Sequence, residues 1–166
     1  MRAFIRDGDD SFVATFAPAE ADAIRQSVQG IAGLVRAHDT GDPVTARLFP
    51  DVYNDSSDDA AEFHRLTDAE LTGTKLAQVD VLLDTLPAEG GEVRIDGETA
   101  EAWLRAITDV RLALGVRLDI SESTDLGREM DDEILADPVS PRAAALGLYE
   151  LLTYVQESLV VAVAGW

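Results

Sequence analysis

The segment Ala102-Trp103-Leu104-Arg105-Ala106-Ile107-Thr108-Asp109-Val110-Arg111-Leu112-Ala113-Leu114 continues to Leu118 and sets Trp103, Ile107, Val110, Leu114 and Leu118 three or four residues apart. That spacing predicts an amphipathic helix over about 98–118, entered from Asp96 or Gly97, with one buried arc. Downstream, Pro138 and Pro141 flank the start of a helix over about 141–163. Leu148, Leu151, Leu152, Val155, Leu159 and Ala162 make its broad apolar face, yet Leu146, Val160 and Val161 fall on the other side beside Glu150, Thr153 and Glu157. A helix apolar nearly all round is central to a fold or buried again in an oligomer, so a homodimer is expected.

Upstream, Thr67-Asp68-Ala69-Glu70 has the spacing of a capping box. It predicts a helix over about 68–86, with Leu71, Val79, Leu82, Leu83 and Leu86 on one face and Pro87 as its stop. Pro18 opens a further helix over about 18–37, carried by Ile24, Val28, Ile31 and Val35. Before it, Phe4-Ile5-Arg6 and Phe12-Val13-Ala14-Thr15-Phe16 flank Asp7-Gly8-Asp9-Asp10-Ser11 as a hairpin would, and Val93-Arg94-Ile95 reads as an extra short strand after Gly90-Gly91. Two acidic stretches remain as loops, about 39–66 and about 119–140. The first holds a helical turn or two near 44–49, and the second is a mobile connection with at most as much. The expectation is a mainly α fold: a four-helix-type bundle with a short N-terminal β-hairpin, in a single globular domain over 1–166.

The 166 residues carry 32 acids against 13 cations, a formal charge of -19. Twelve of those cations are arginines, and Lys75 is the single lysine. Affinity for phosphate backbones comes from cationic counterion release, so direct binding of nucleic acid is not expected. With no cysteine, disulfides, thiolate metal sites and thiol switching within these residues are excluded. Met1-Arg2-Ala3-Phe4-Ile5-Arg6 runs straight into Asp7-Gly8-Asp9-Asp10 without the apolar core of a secretory signal. No uninterrupted apolar run reaches the roughly 18 residues of a membrane span. A cytoplasmic protein with no membrane contact is expected.

Two cations sit where apolar residues belong. At about 100° per residue, Lys75 falls between Leu71 and Val79, and Arg111 between Leu104 and Ile107. Their stems either lie along apolar surface with the heads in water, or the heads pair with Glu150 or Glu157 of the last helix.

Chemistry-bearing motifs are sparse, and neither a metal nor a cofactor is expected. His38 closes the first helix, where a cation suits the negative pole of the dipole. Glu62-x-His64 lacks the i, i+3 or i, i+4 spacing of helical metal sites. Asp7-x-Asp9-x-Ser11 starts like an EF-hand loop, but Phe12 stands at the Gly position and Pro18 at the bidentate Glu position. Asp51, Asp55, Asp58 and Asp59, and Glu129, Asp131, Asp132 and Glu133, supply paired carboxylates, which need apolar surroundings before they do acid–base work.

Leu82-Leu83-Asp84-Thr85-Leu86-Pro87, then Ala102-Trp103-Leu104-x-Ala106-Ile107-x-Asp109-x-Arg111-Leu112-x-Leu114-Gly115-x-Arg117-Leu118, then Tyr149-x-x-Leu152-x-x-x-Gln156-Glu157-x-Leu159-Val160 follow one another in order. Together with Arg47-Leu48-Phe49-Pro50-Asp51-x-Tyr53, they resemble an actinobacterial family of unknown function typified by the oxidative-stress transcription regulator AosR and often encoded beside the ClpS protease adaptor. The resemblance covers nearly the whole chain. It implies a non-enzymatic regulator whose protein partner is a sigma factor or RNA polymerase. The redox response it implies runs through a cysteine pair near the N-terminus, which does not carry over to a chain without cysteine. Asp109, Arg111, Gln156 and Glu157 lie in the shared signature, and with Lys75 and Glu150 they are candidates for a buried polar network or a partner contact. Two other readings stay open: an adaptor of Clp-type proteolysis, suggested by gene neighbourhood, and an unrecognised enzyme using Glu62 and His64 or the paired acids.

Overall fold

Phe12, Ala14 and Phe16 alternate with more exposed neighbours and turn one face of a strand inward. The computed structural model describes residues 1–50 and 58–165, with side chains from residue 67 onward in the helix that begins at Asp58. The inward-facing strand is β2 (Phe12–Phe16), central in a three-stranded antiparallel sheet between β1 (Arg2–Arg6) and β3 (Gly91–Ile95). Opposite Phe12 and Ala14 stand Ile95 and Val93, which complete the buried face. A register shift between Arg2 and Ile5 bends the edge strand and leaves Phe4 buried on that same face. The expected hairpin and extra strand thus join into one small sheet.

Six helices accompany the sheet among the described residues: α1 (Pro18–Ala37), α2 (Pro43–Leu48), α3 (Asp58–Thr85), α4 (Gly97–Leu118), α5 (Leu126–Ala136) and α6 (Pro141–Ala164). The fold is mainly α. Helix α1 starts where Pro18 fixes the first turn and Glu20 accepts the Ala17 N–H at 2.6 Å. It ends at His38, held in the left-handed region at φ 44°. Helix α4 is capped by Asp96, which accepts from the Thr99 N–H at 2.9 Å. Its far end closes with Asp119 at φ 57° and a 2.8 Å bond from the Ile120 N–H to the Gly115 carbonyl, a Schellman turn with aspartate in place of glycine.

Two expectations fail here. Helix α3 begins at Asp58, ten residues before the forecast start, and runs through the Thr67 box. With no Gly or Pro between residues 58 and 72, nothing in the sequence breaks the helix there, and a capping box only offers an end that the chain is free to ignore. Helix α5 stands where a mobile connection was expected. Asp125 caps it through the Arg128 N–H, Arg128 pairs with Asp132 one turn on, and Arg142 at the start of α6 reaches both Glu129 and Glu133. Asp125 is spent on the cap and Glu129, Asp132 and Glu133 on ion pairs, although none of the helix's residues is buried.

Trp103 on α4 is the centre of the core. Its ring meets Phe4 edge-on at 5.6 Å and Phe16 at 5.9 Å, and its indole N–H donates to the Thr85 hydroxyl at 2.8 Å. Helices α4 and α6 pack on each other, and Leu152, Val155 and Leu159 of α6 are fully buried. Helix α6 is long and apolar enough to cross a membrane by length and composition, and 28% of its apolar window is buried. Leu146, forecast on the opposite side, is buried as well.

The Trp103–Thr85 bond yields a test. In Thr85→Val the shape is kept but the buried indole N–H loses its acceptor, so stability in urea denaturation falls by about 1–3 kcal/mol.

Candidate functional site

Helix α4 touches α1, α2, α3 and α6, so the polar side chains it turns inward must find partners among them. Asp109 is buried, and both its carboxylate oxygens accept from the Lys75 ammonium of α3, at 2.7 and 2.9 Å. The two side chains keep only 12% and 8% of their surface in contact with solvent. Lys75 is therefore a buried ion-pair partner, not a cation snorkelling to water. Its ammonium also lies 5.9 Å from the centre of the Phe49 ring. Burial pushes the Asp109 carboxyl above the usual aspartate range, and Lys75 pulls it part of the way back.

On the other flank of α4, Arg111 donates to the Gln156 side-chain oxygen at 2.6 Å and to the Tyr149 hydroxyl at 3.3 Å, with its guanidinium 5.0 Å from the centre of the Tyr149 ring. Gln156 in turn donates to the Thr108 hydroxyl at 3.1 Å, which donates to the Leu104 carbonyl at 2.7 Å. The buried Arg111 Nε has no acceptor.

Four of the six candidates are thus brought together on the flanks of α4: Lys75, Asp109, Arg111 and Gln156. Glu150 and Glu157 are not, because both face solvent from the outer side of α6. The expected pairing of Lys75 or Arg111 with either glutamate is therefore corrected. Lys75 takes Asp109, and Arg111 takes two neutral groups. The helical wheel had placed the cations on the right faces but did not identify the residues opposite. Tyr149 and Thr108 complete the network and were not singled out as site residues. Tyr149 sits seven residues before Gln156, and Thr108 three before Arg111, spacings that share a helix face.

Two shallow clefts border the network and share Thr108. One, of about 250 Å³, is lined by Leu71, Thr74, Lys75, Gln78, Arg105, Thr108 and Asp109. The other, of about 220 Å³, lies between α2, α4 and α6 around Arg111. A carboxyl with a raised pKa beside a cleft meets one requirement of acid–base chemistry, but here both oxygens are held by Lys75, as in a structural pair.

The remaining motifs have structural partners. Asp7 pairs with Arg94, and Asp10 accepts from the Gly97 N–H at 3.0 Å, so the 7–11 turn ties the hairpin to β3 and the start of α4. His38 sits at the C-terminal end of α1, as expected, with its Nε2 3.4 Å from Asp68 and its ring edge against Phe49. Among the described residues, no group of three or more His, Asp and Glu is placed to hold a metal. Asp51 and Asp55 lie outside the described residues, as do the side chains of Asp58, Asp59, Glu62 and His64.

The buried pair predicts a pH-dependent pattern of stability. The folded-state pKa of Asp109 is raised, so this group's favourable contribution is complete below the unfolded value and lost as pH climbs through the folded one. In Lys75→Met the carboxyl loses its counter-charge. That variant loses about 3–5 kcal/mol at neutral pH, and less in acid, where Asp109 is protonated. The double variant Lys75→Met with Asp109→Leu recovers most of the loss; urea denaturation of the wild type, the two single variants and the double variant across pH checks the cycle.

The model of the family described as Domain of unknown function (DUF2017) matches residues 1–163. The protein called Oxidative stress regulator AosR in Mycobacterium tuberculosis (strain ATCC 25618 / H37Rv) is 34% identical over 138 residues, 75% of this chain and 60% of its own length. The protein of the same name in Mycobacterium bovis gives the same values. The chain thus spans about 60% of the length of these relatives. No solved structure matches it. The chain belongs to the DUF2017 family.

Proposed function

We propose that this chain is a non-enzymatic regulator of the oxidative-stress response, acting in the cytoplasm by binding a sigma factor or RNA polymerase. The observation that carries this reading is its likeness to the AosR proteins over 75% of its length. The surface suits a basic protein partner. The chain is strongly acidic, and α5 and the turn after it hold Leu135 and Val139 at 84% and 87% exposure among Asp131, Asp132 and Asp137. An acidic field of this kind raises the rate of encounter with a basic partner and repels nucleic acid.

The test is affinity capture with RNA polymerase holoenzyme and individual sigma factors at low and moderate salt. Recovery of a sigma factor or polymerase subunit is expected. Recovery of neither at both salt concentrations overturns the reading, and capture of Clp components instead replaces it with an adaptor role. Replacing Asp131 and Asp132 with Lys is expected to slow association and to flatten its dependence on ionic strength.

A homodimer through the outer side of α6 belongs to the same proposal. Tyr154, Val160, Val161 and Val163 each leave more than a third of their surface exposed there. Light scattering at micromolar concentration is expected to give twice the monomer mass, and Val161→Glu to return it to one. A monomeric wild-type protein refutes this part.

A further inference from the structure

The cleft around Arg111 is a concentration of positive charge in a chain whose formal charge is -19. It is lined by Arg47 from α2, Thr108, Arg111, Leu112 and Gly115 from α4, Ile120 beyond its end, and Tyr149 from α6. Arg111 is half-buried, and its hydrogen-bond acceptors, Gln156 and Tyr149, are both neutral. Among the described residues, neither Arg111 nor Arg47 lies within 4 Å of a carboxylate. A charge taken partly out of water with only neutral partners is costly, and an anion brought against it recovers that cost.

We propose that this cleft is a binding site for a small oxyanion, the phosphate or carboxylate group of a small molecule. Arg111 keeps N–H groups beyond the two it gives to Gln156 and Tyr149. The Tyr149 hydroxyl accepts from Arg111, which leaves its own proton to donate. Arg47 is exposed at the mouth and supplies a second guanidinium, the side chain suited to bidentate contact with carboxylate or phosphate. Leu112, Gly115 and Ile120 give the cleft an apolar side, and the Schellman turn at Asp119 brings Ile120 back over Gly115. A volume of about 220 Å³ suits a small molecule. A Cβ at Gly115 would meet no atom within 4 Å, so a larger side chain there enters the cleft and leaves the core undisturbed.

The site is tested by titrating the isotope-labelled chain with sodium phosphate and, separately, with sodium succinate at constant ionic strength, following backbone and arginine side-chain N–H signals by NMR. Saturable shifts are expected at residues 108–120, Tyr149 and the arginine side chains, with a dissociation constant at or below about 1 mM for one of the two anions. A preference for phosphate points to a phosphorylated molecule, and one for succinate to an organic acid; either supports the site. Arg47→Ala removes an exposed side chain and is expected to weaken binding about tenfold. Gly115→Leu is expected to abolish binding while the circular dichroism of both variants stays that of the wild type. No saturable shift with either anion overturns the proposal. So does binding that survives unchanged in both folded variants.

Discussion

The burial of α4 on several sides at once governs the rest of the structure. A helix packed against α1, α2, α3 and α6 keeps a narrow outer stripe for water, at Glu98, Glu101, Arg105 and Arg117 among others, and the residues facing its neighbours are apolar or must be paired inside the protein. Trp103, Ala106, Ile107, Val110 and Ala113 meet the first condition. Asp109 meets the second through Lys75, and Trp103 needs Thr85 for its one polar atom. Both of those partners come from α3, one near its middle and one at its last residue. The two contacts therefore fix how α3 slides along α4: a shift of one turn would part a buried charge from its counter-charge and an indole N–H from its acceptor.

The same scarcity of partners explains where the arginines go. With 32 acids to 13 cations, every cation has a carboxylate to choose, yet three arginines reach backbone carbonyls, Arg142 in addition to its two glutamates. Arg6 donates to the Ala162 and Val163 carbonyls at the end of α6, Arg25 to the Leu86 carbonyl just past α3, and Arg142 to the Leu118 carbonyl that ends α4. The last carbonyls of a helix lack intrahelical donors and carry the negative end of its dipole. One guanidinium there fulfils a hydrogen-bonding need and a charge preference together. It also ties a neighbouring element to the helix end: β1 to α6, α1 to α3, and α6 to α4. Surface ion pairs in this chain contribute little by comparison, since most are exposed.

Much of this was legible from residue spacing. Helices α1, α4 and α6 lie within a residue or so of their forecast bounds because each combines a proline or capping acid with a long 3.6-residue apolar pattern. Helix α3 was cut short because a capping box states only that a helix is able to start there. Helix α5 was missed because its apolar residues are few and its support comes from Arg142, a side chain on another element. The candidate site divided along the same line. Period and phase showed that Lys75 and Arg111 face inward, but the choice of Asp109 over the glutamates of α6 depends on how three helices dock, which no single helix encodes. Tyr149 escaped notice because an aromatic on an apolar helix reads as core until an arginine is found stacked on it.

The two halves of the polar seam on α4 differ in what holds them. Lys75 and Asp109 neutralise each other, and both carboxylate oxygens are occupied, so that half needs nothing from outside the chain. Arg111 is organised but not neutralised: Gln156 and Tyr149 orient its guanidinium without reducing its charge, and Thr108 in turn fixes Gln156. Orientation by neutral groups preserves electrostatic reach, which an ion pair would extinguish. In a chain this acidic a carboxylate was always at hand to complete the pairing, and Glu150 and Glu157 lie on the same helix as Gln156, facing away. The fold thus spends its one lysine on closing a core and keeps a partly buried arginine electrically open beside a cleft.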